Sequence, residues 1–527
     1  MRVQRLTEEQ EVAYNAVLST ADEGGRTTTR QVRAVLRHGM EEIGRLTRAL
    51  ERQGLVRFDR QGIQVLKRPD AQASAAPALR YVITSAVSGS PVHARFLRAL
   101  ETYCRHRNAR LMVVPIRYRN PTSKLERPED WFDPKLAPYL TRQRVELCPG
   151  LMLMADVPTQ PTASRPLSGL TTMSGGASAI FGHTKIALES VATRLHEPAK
   201  LAVTTGAVTE ARYSESKSGK KGEFHHVYGA VAVESCNGRF HVRHLNANAD
   251  GGFYDLGERW TDDGPIPQDV KVVTLGDLHG VRADAQVMDA TFGAADSLIR
   301  TLRPRKIVLH DVIDFQAGSH HNSFFDNFAL QSRGERNVTQ ELVATFQLID
   351  DIAAAAPEAE LVVVDSNHHD HFTKWLGDPT RAHDIENALV YHETKVAILR
   401  ALQAGERHPS PLEFWGRRLL KNGGRITFLK VGESFSVDGV EYGSHGHRGP
   451  NGARGSIAAF TKVGAKMVIG HSHTPGIMDG CYQVGTSSLM DMGYNADALS
   501  SWMHTHCIHY RNGKRALVNI IDGKWRC

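Results

Sequence analysis

Between residues 271 and 475 the chain repeats one pattern five times: a short apolar run with strand character that stops abruptly at Asp, Asn or His. Lys271–Gly280 (KVVTLGDLHG) ends in Asp277 and His279. Lys306–Phe315 (KIVLHDVIDF) ends in His310 and Asp311, with Asp314 three residues on. Leu361–Phe372 (LVVVDSNHHDHF) delivers Asn367 and His368, Gly439–Gly449 (GVEYGSHGHRG) delivers His445 and His447, and Lys466–Pro475 (KMVIGHSHTP) delivers His471 and His473. Runs of this length bounded by polar residues predict buried strands. Helical patterns over Phe292–Leu302 and Asn337–Ala355 separate the first three, so a βαβαβ order is expected, with ligand-type side chains at the carboxyl edge where α/β sheets bind ligands. Residues 374–423 are mostly helical in pattern.

Upstream the pattern changes. Residues 1–67 predict three helices and a hairpin, a winged-helix-like unit. Thr7 and Gln10 make a capping-box pair, Gly39 and Gly54 stop the second and third helices, and two short strands flank Arg60–Gln61–Gly62. Arginines at 26, 30, 33, 37, 45, 48, 52, 57 and 60 give this unit a basic face suited to phosphates, diluted by Glu41, Glu42 and Glu51. Residues 68–78, rich in Ala, Pro and Ser, form a linker. Residues 79–265 predict an α/β middle domain, with a strand at Tyr81–Ala86, a helix at Val92–Arg107 and a strand at Arg110–Ile116. Within it Ser214–His226 (SESKSGKKGEFHH) is expected to be a Gly/Lys loop, whose Lys220 and Lys221 suit a phosphate contact or a solvated tip. Residues 266–527 complete the chain as a third domain.

A chain of 527 residues with 41% hydrophobic and 23% charged residues is expected to be a multidomain globular protein. No apolar run is long enough to span a bilayer, and MRVQRLTEEQ lacks a secretory h-region, so a cytoplasmic location is expected. The six cysteines contain no CxxC pair and are expected to be reduced thiols. The net charge of +7 permits nucleic-acid binding without requiring it. No pattern specifies a homo-oligomeric state. The 26 histidines change the picture most, because many sit in or beside the five motifs, where buried imidazoles and carboxylates need a partner such as a metal.

The order DxH, DxxD, NH, H, GHxH over residues 270–490 resembles the calcineurin-like metallophosphoesterase superfamily. His310 and Ser366 stand where that superfamily usually has Gly. The resemblance implies a β-sandwich core flanked by helices, its second sheet completed by short strands in Tyr482–Trp525. It also implies two divalent ions, one held by Asp277, His279, Asp311 and His473, the other by Asp311, Asn367, His445 and His471. The mixed N/O donors favour manganese, with zinc or iron as alternatives. A metal-bridging hydroxide would attack phosphorus, and His368, assisted by Asp314, would protonate the leaving group. His320, His321, His447 and Arg448 are further candidates for phosphate contact. The layout of N-terminal unit, middle region and metal core resembles phage-encoded metallophosphoesterases, including the first-step-transfer DNase of some tailed phages, which implies the host cytoplasm.

Three functions follow. A DNA nuclease is favoured by the arginine-rich unit, the lysines at 220 and 221 and the basic balance. A phosphomonoesterase or small-nucleotide phosphodiesterase is favoured by Asp314, which resembles the protein-phosphatase branch, where repair nucleases usually carry His. A non-catalytic DNA-binding or assembly protein is disfavoured by the complete ligand set.

Overall fold

The computed structural model describes residues 17, 26–27, 32, 45–48, 50, 56–59, 62–65, 79–118, 131–194, 197–495 and 498–527. The chain divides into two compact units, Met1–Pro77 and Ala78–Cys527. In the first, Val56–Asp59 and Gly62–Val65 form the expected antiparallel hairpin, and Arg26–Thr27 pairs with its second strand. Val17, Val32, Leu46, Leu50, Val56 and Ile63 are buried, while Arg45, Arg48 and Arg57 are exposed. Most of the three helices expected there lies outside the described residues.

The second unit is a mixed α/β assembly of several sheets and helices. Its first sheet contains the expected βαβ unit: Leu79–Val87 and Arg110–Ile116 run parallel, joined by the helix Ala94–Arg107. That helix begins where the His93 imidazole accepts the Phe96 amide at 3.1 Å, so its own chain caps it. Gly229–Cys236 and Arg239–Asn246 complete the sheet antiparallel.

Two larger sheets carry the five motifs. One has six strands in the order Ile426–Phe428, Glu360–Val363, Lys306–Leu309, Val272–Thr274, Thr505–His509 and Arg515–Asn519. Its first four strands are mutually parallel, so the ends of three of them deliver the first three motifs to one edge. Alternation along these strands separates two apolar layers, as a period of two requires. Val273, Ile307, Leu309, Leu361 and Val363 pack with the helices, whereas Val272, Val308 and Val362 pack with Val440, Val468, Ile477 and Tyr482 of the other sheet. That second sheet has ten strands and draws on both sides of position 265, because Leu188–Val191 pairs antiparallel with Gly476–Met478. The fourth and fifth motifs follow its parallel strands Val440–Glu441 and Lys466–Ile469.

Four expectations are corrected. The tail strands Thr505–His509 and Arg515–Asn519 extend the six-stranded sheet, not the second one, because Thr505–His509 has the free edge of Val272–Thr274 to pair with. The single helix expected at Phe292–Leu302 is broken: a π turn at Asp289–Gly293, where the Thr291 hydroxyl donates to the Val287 carbonyl, precedes a short helix at Leu298–Leu302. The stretch expected to be a Gly/Lys loop is the helix Lys217–His225, capped by the Ser216 hydroxyl, which accepts the Gly219 amide. Cys236 and Cys527, expected as thiols, are joined by a disulfide, since antiparallel packing brings the chain end back to the middle region; the other four cysteines are free and buried.

Candidate functional site

The five motif loops meet at one place. Asp277, His279, Asp311 and His473 each bring a ligand atom to within 4.8 Å of the others, and all four are buried. The Asp277 carboxylate lies 3.3 Å from Nε2 of His473, and His279 Nε2 lies 2.9 Å from the same nitrogen. Oδ2 of Asp311 is 3.0 Å from Nε2 of His445 and 3.9 Å from Nε2 of His279. Nδ1 of His471 lies 3.1 Å from the Asn367 oxygen. All seven residues of the expected ligand set are therefore brought together, with Asp311 between the two halves.

The loops that carry them are held in costly conformations. His279, Asp311, His471 and His473 have φ of 53°, 42°, 75° and 58°, in the left-handed region that non-glycine residues seldom enter. Each such residue costs on the order of 1–3 kcal/mol, and strain of this kind clusters at functional sites. Local hydrogen bonds hold it in place: the His279 amide donates to the Asp311 carbonyl at 2.7 Å, and the His471 amide to the Asp277 carboxylate at 2.8 Å. Gly470 is required beside them, because a Cβ there would lie 2.3 Å from Oδ1 of Asp277.

Whether these residues suit a cation can be tested on their unmet bonds. Oδ1 of Asp277, Oδ1 of Asp311 and Nδ1 of His473 are buried without a hydrogen-bond partner. Burial pushes both carboxyls up, yet the charge on His445 outweighs it and holds both below the usual carboxylate range. Two ionised, desolvated carboxylates with orphaned lone pairs, surrounded by imidazoles, form a donor set for a metal. Burial keeps His471 and His473 below the ordinary imidazole range, so they are neutral and able to coordinate.

His368 and Asp314 lie beside this cluster. Nδ1 of His368 donates to the Asp314 carbonyl at 2.8 Å and lies 3.3 Å from its carboxylate, which also sits 3.0 Å from Nδ1 of His279. Burial lowers His368, but Asp311 and the Asp314 hydrogen bond outweigh it and push the imidazole up to about 10. Asp311, Asp314, Asn367, His368, His471 and His473 line a cavity of about 800 Å³ together with His321. Sequence reasoning missed other liners: Arg282, Arg333, Arg454, Tyr494 and Trp502, the last with its ring 4.2 Å from that of His473. None belongs to a periodic apolar run: Arg282 ends the 3-10 turn Gly280–Arg282, and Arg333 follows the helix Phe324–Ser332 as its C-cap.

The remaining candidates fare differently. His320 lies against His321, with ring centroids 3.9 Å apart and the rings tilted by 39°, beside the cavity. His447 and Arg448 line a separate cavity of about 390 Å³ with His445 and Asp365, and Arg448 is paired with Asp370. Lys220 pairs with Glu215 and Glu223, and Lys221 donates to Ser164, so the structure engages both away from the cavity, where the helix they stand on carries them. No helix among the described residues is long and apolar enough to cross a membrane.

Compared with known proteins, the chain is 33% identical over 462 residues to Protein A1 of Escherichia phage T5, which covers 85% of this chain and 82% of that protein. The likeness supports a phage origin. No family model matches, and no solved structure does.

Proposed function

The chain belongs to the family of protein A1 of Escherichia phage T5, and from that premise and the geometry of the cluster we propose that it is a metal-dependent phosphoesterase of the calcineurin-like superfamily that hydrolyses phosphodiester bonds in DNA. The observation that carries this reading is the convergence of seven ligand-type residues from five strand ends, with orphaned carboxylate and imidazole atoms, at an open cavity. Asp277, His279, Asp311 and His473 would hold one divalent cation, and Asp311, Asn367, His445 and His471 a second, manganese being preferred over zinc or iron. When bound, the pair would supply a water acidic enough to ionise near neutral pH and a clamp for phosphate oxygens.

The protein's own groups do the rest. Because Nδ1 of His368 is fixed on the Asp314 carbonyl, Nε2 is the nitrogen left to face substrate. It gives its proton to the departing alkoxide oxygen as the ester bond breaks, so the leaving group departs as an alcohol. Asp314 positions the His279 and His368 rings together. Arg282, Arg333 and Arg454 around the cavity suit the repeated phosphates of a nucleic-acid backbone. A second reading, hydrolysis of a phosphomonoester or a small nucleotide, is favoured by the Asp314–His368 contact, which matches the phosphatase branch of the superfamily.

The test is manganese-dependent cleavage of linear and circular duplex DNA. His368→Ala is expected to slow it by roughly 10²–10⁴-fold while duplex binding persists. Intact DNA alongside manganese-dependent hydrolysis of nitrophenyl phosphate would move the function to the second reading. Inertness on both substrates would sink the phosphoesterase assignment.

A further inference from the structure

A second group of imidazoles stands apart from the aspartate-rich cluster. His320, His321 and His371 each place one ring nitrogen within 4.8 Å of the others. Their ring centroids are 3.9 Å (His320–His321), 5.0 Å (His320–His371) and 5.3 Å (His321–His371) apart. No carboxylate belongs to this group. His371 is buried, and its Nδ1 has no hydrogen-bond partner. An imidazole nitrogen held out of water without a partner is costly unless something binds it.

The backbone that presents the three is fixed. His371 stands on the helix Asn367–Gly377, one turn beyond His368 and on the same face. His320 and His321 follow the short turn Gln316–Gly318, whose amides at Gln316 and Ala317 both donate to the Glu341 carboxylate at 3.0 Å. Asn322 ties the far end of that loop to the Gln316 carbonyl at 2.8 Å. The two elements that carry the triad are thus pinned before any ligand arrives.

We infer that His320, His321 and His371 form a further metal site, for one first-row divalent cation of the zinc type, on the wall of the same cavity. Three imidazole nitrogens and no thiolate or carboxylate suit zinc, copper, iron or nickel and disfavour magnesium, calcium and manganese. Zinc–nitrogen bonds of about 2.0–2.1 Å put tetrahedral ligands roughly 3.4 Å apart. Closing from 4.8 Å to that distance takes side-chain rotation of the exposed His320 and His321 against the buried His371. Three protein ligands leave a fourth position open. With His321 and His371 both lining the cavity, that position faces it and suits an oxygen of a substrate phosphate.

The experiment counts zinc. Full-length chain is stripped with chelator, loaded with excess zinc chloride, desalted, and analysed for metal and protein. His320→Ala with His321→Ala, both exposed side chains, is expected to hold one equivalent fewer than the unaltered chain. His371→Gln is expected to do the same. On an Asp277→Asn, Asp311→Asn background, which disables the aspartate-rich cluster, one equivalent is expected to remain and to disappear when His320 and His321 are also replaced. If the unaltered chain holds a single equivalent that the double alanine variant lacks, the two-cation reading of the main cluster fails while the triad stands. Equal zinc content in the unaltered chain and the double alanine variant would overturn the triad site.

Discussion

Two groups of charged side chains lie buried in the second unit, and they are completed differently. Around Arg243, every charge has its opposite within the chain. Its guanidinium donates to Asp255 at 2.5 and 2.8 Å and to Glu234 at 3.2 Å, and the Tyr103 hydroxyl donates to Asp255 at 2.7 Å. Burial raises the Asp255 carboxyl, but Arg243 more than offsets it and keeps the group below its ordinary value. Around Asp277 and Asp311 the same desolvation is met by imidazoles and the His471 amide, and three ring or carboxylate atoms have no partner. A buried ion pair that satisfies itself is a structural device. A buried acidic cluster that does not could hold a cation. The difference singles out the second group as the candidate for function without reference to any relative.

The largest expected effect separates the two on activity. Asp311→Asn is expected to lower manganese-dependent hydrolysis by roughly a thousand-fold, about 4 kcal/mol of barrier, because the shared carboxylate is gone. Stability measured in chelator should fall only slightly, since His445, which faces Asp311 at 3.0 Å, can shed its proton once the carboxylate is gone, as a guanidinium cannot. Asp255→Ala should behave in the opposite way. It leaves Arg243 buried with only Glu234, which costs about 3–5 kcal/mol in a denaturant titration, while bound metal per folded chain stays unchanged. Equal stability losses for the two variants in chelator would erase the distinction.

How much of this was legible in the sequence depends on where the information is stored. Asp277, His279, Asp311, Asn367, His445, His471 and His473 could be found because each follows a local apolar run, and local runs become adjacent strand ends once the crossover helices fold. The Arg243 network could not be found. It joins a helix residue, Tyr103, to residues on three later strands or turns, and nothing in the local pattern marks their pairing. The same holds for Cys236–Cys527, whose partners are 291 positions apart in sequence. Ser214–His226 failed for a different reason. Its glycines suggested a loop, but Gly222 packs so close to Thr162 and Tyr213 that a side chain there would collide, so its glycine serves helix packing and not a turn.

Chelation sharpens the comparison at a smaller scale. At free manganese 100 times its dissociation constant, each cation that binds the folded state alone adds about 2.7 kcal/mol of stability. That increment should appear as a rise in melting temperature on reloading the stripped chain, and it should be the same in Asp255→Ala, because the two clusters share no residue. An unequal increment would mean that the clusters are coupled.

The smallest effect concerns what stands beside the self-satisfied network. His244 follows Arg243 directly, is buried, and lies with Nε2 2.7 Å from the Thr204 carbonyl. Burial lowers its pKa to about 4. The folded chain therefore keeps His244 neutral while the unfolded chain takes up a proton from about pH 6.5 downward. A lowered folded value gives stability that is present above pH 6.5 and lost as the pH falls toward 4, at up to about 1.4 kcal/mol per pH unit. Asp255, held ionised by Arg243, does not contribute to that loss over the same range. Denaturant titrations between pH 7 and 5, with chelator present throughout, are expected to show a shallower slope for His244→Gln than for the unaltered chain, because glutamine can still donate to Thr204 but cannot be protonated. An unchanged slope would place the acid sensitivity of this region elsewhere, with the equally buried and lowered His241 on the same strand as the next residue to replace.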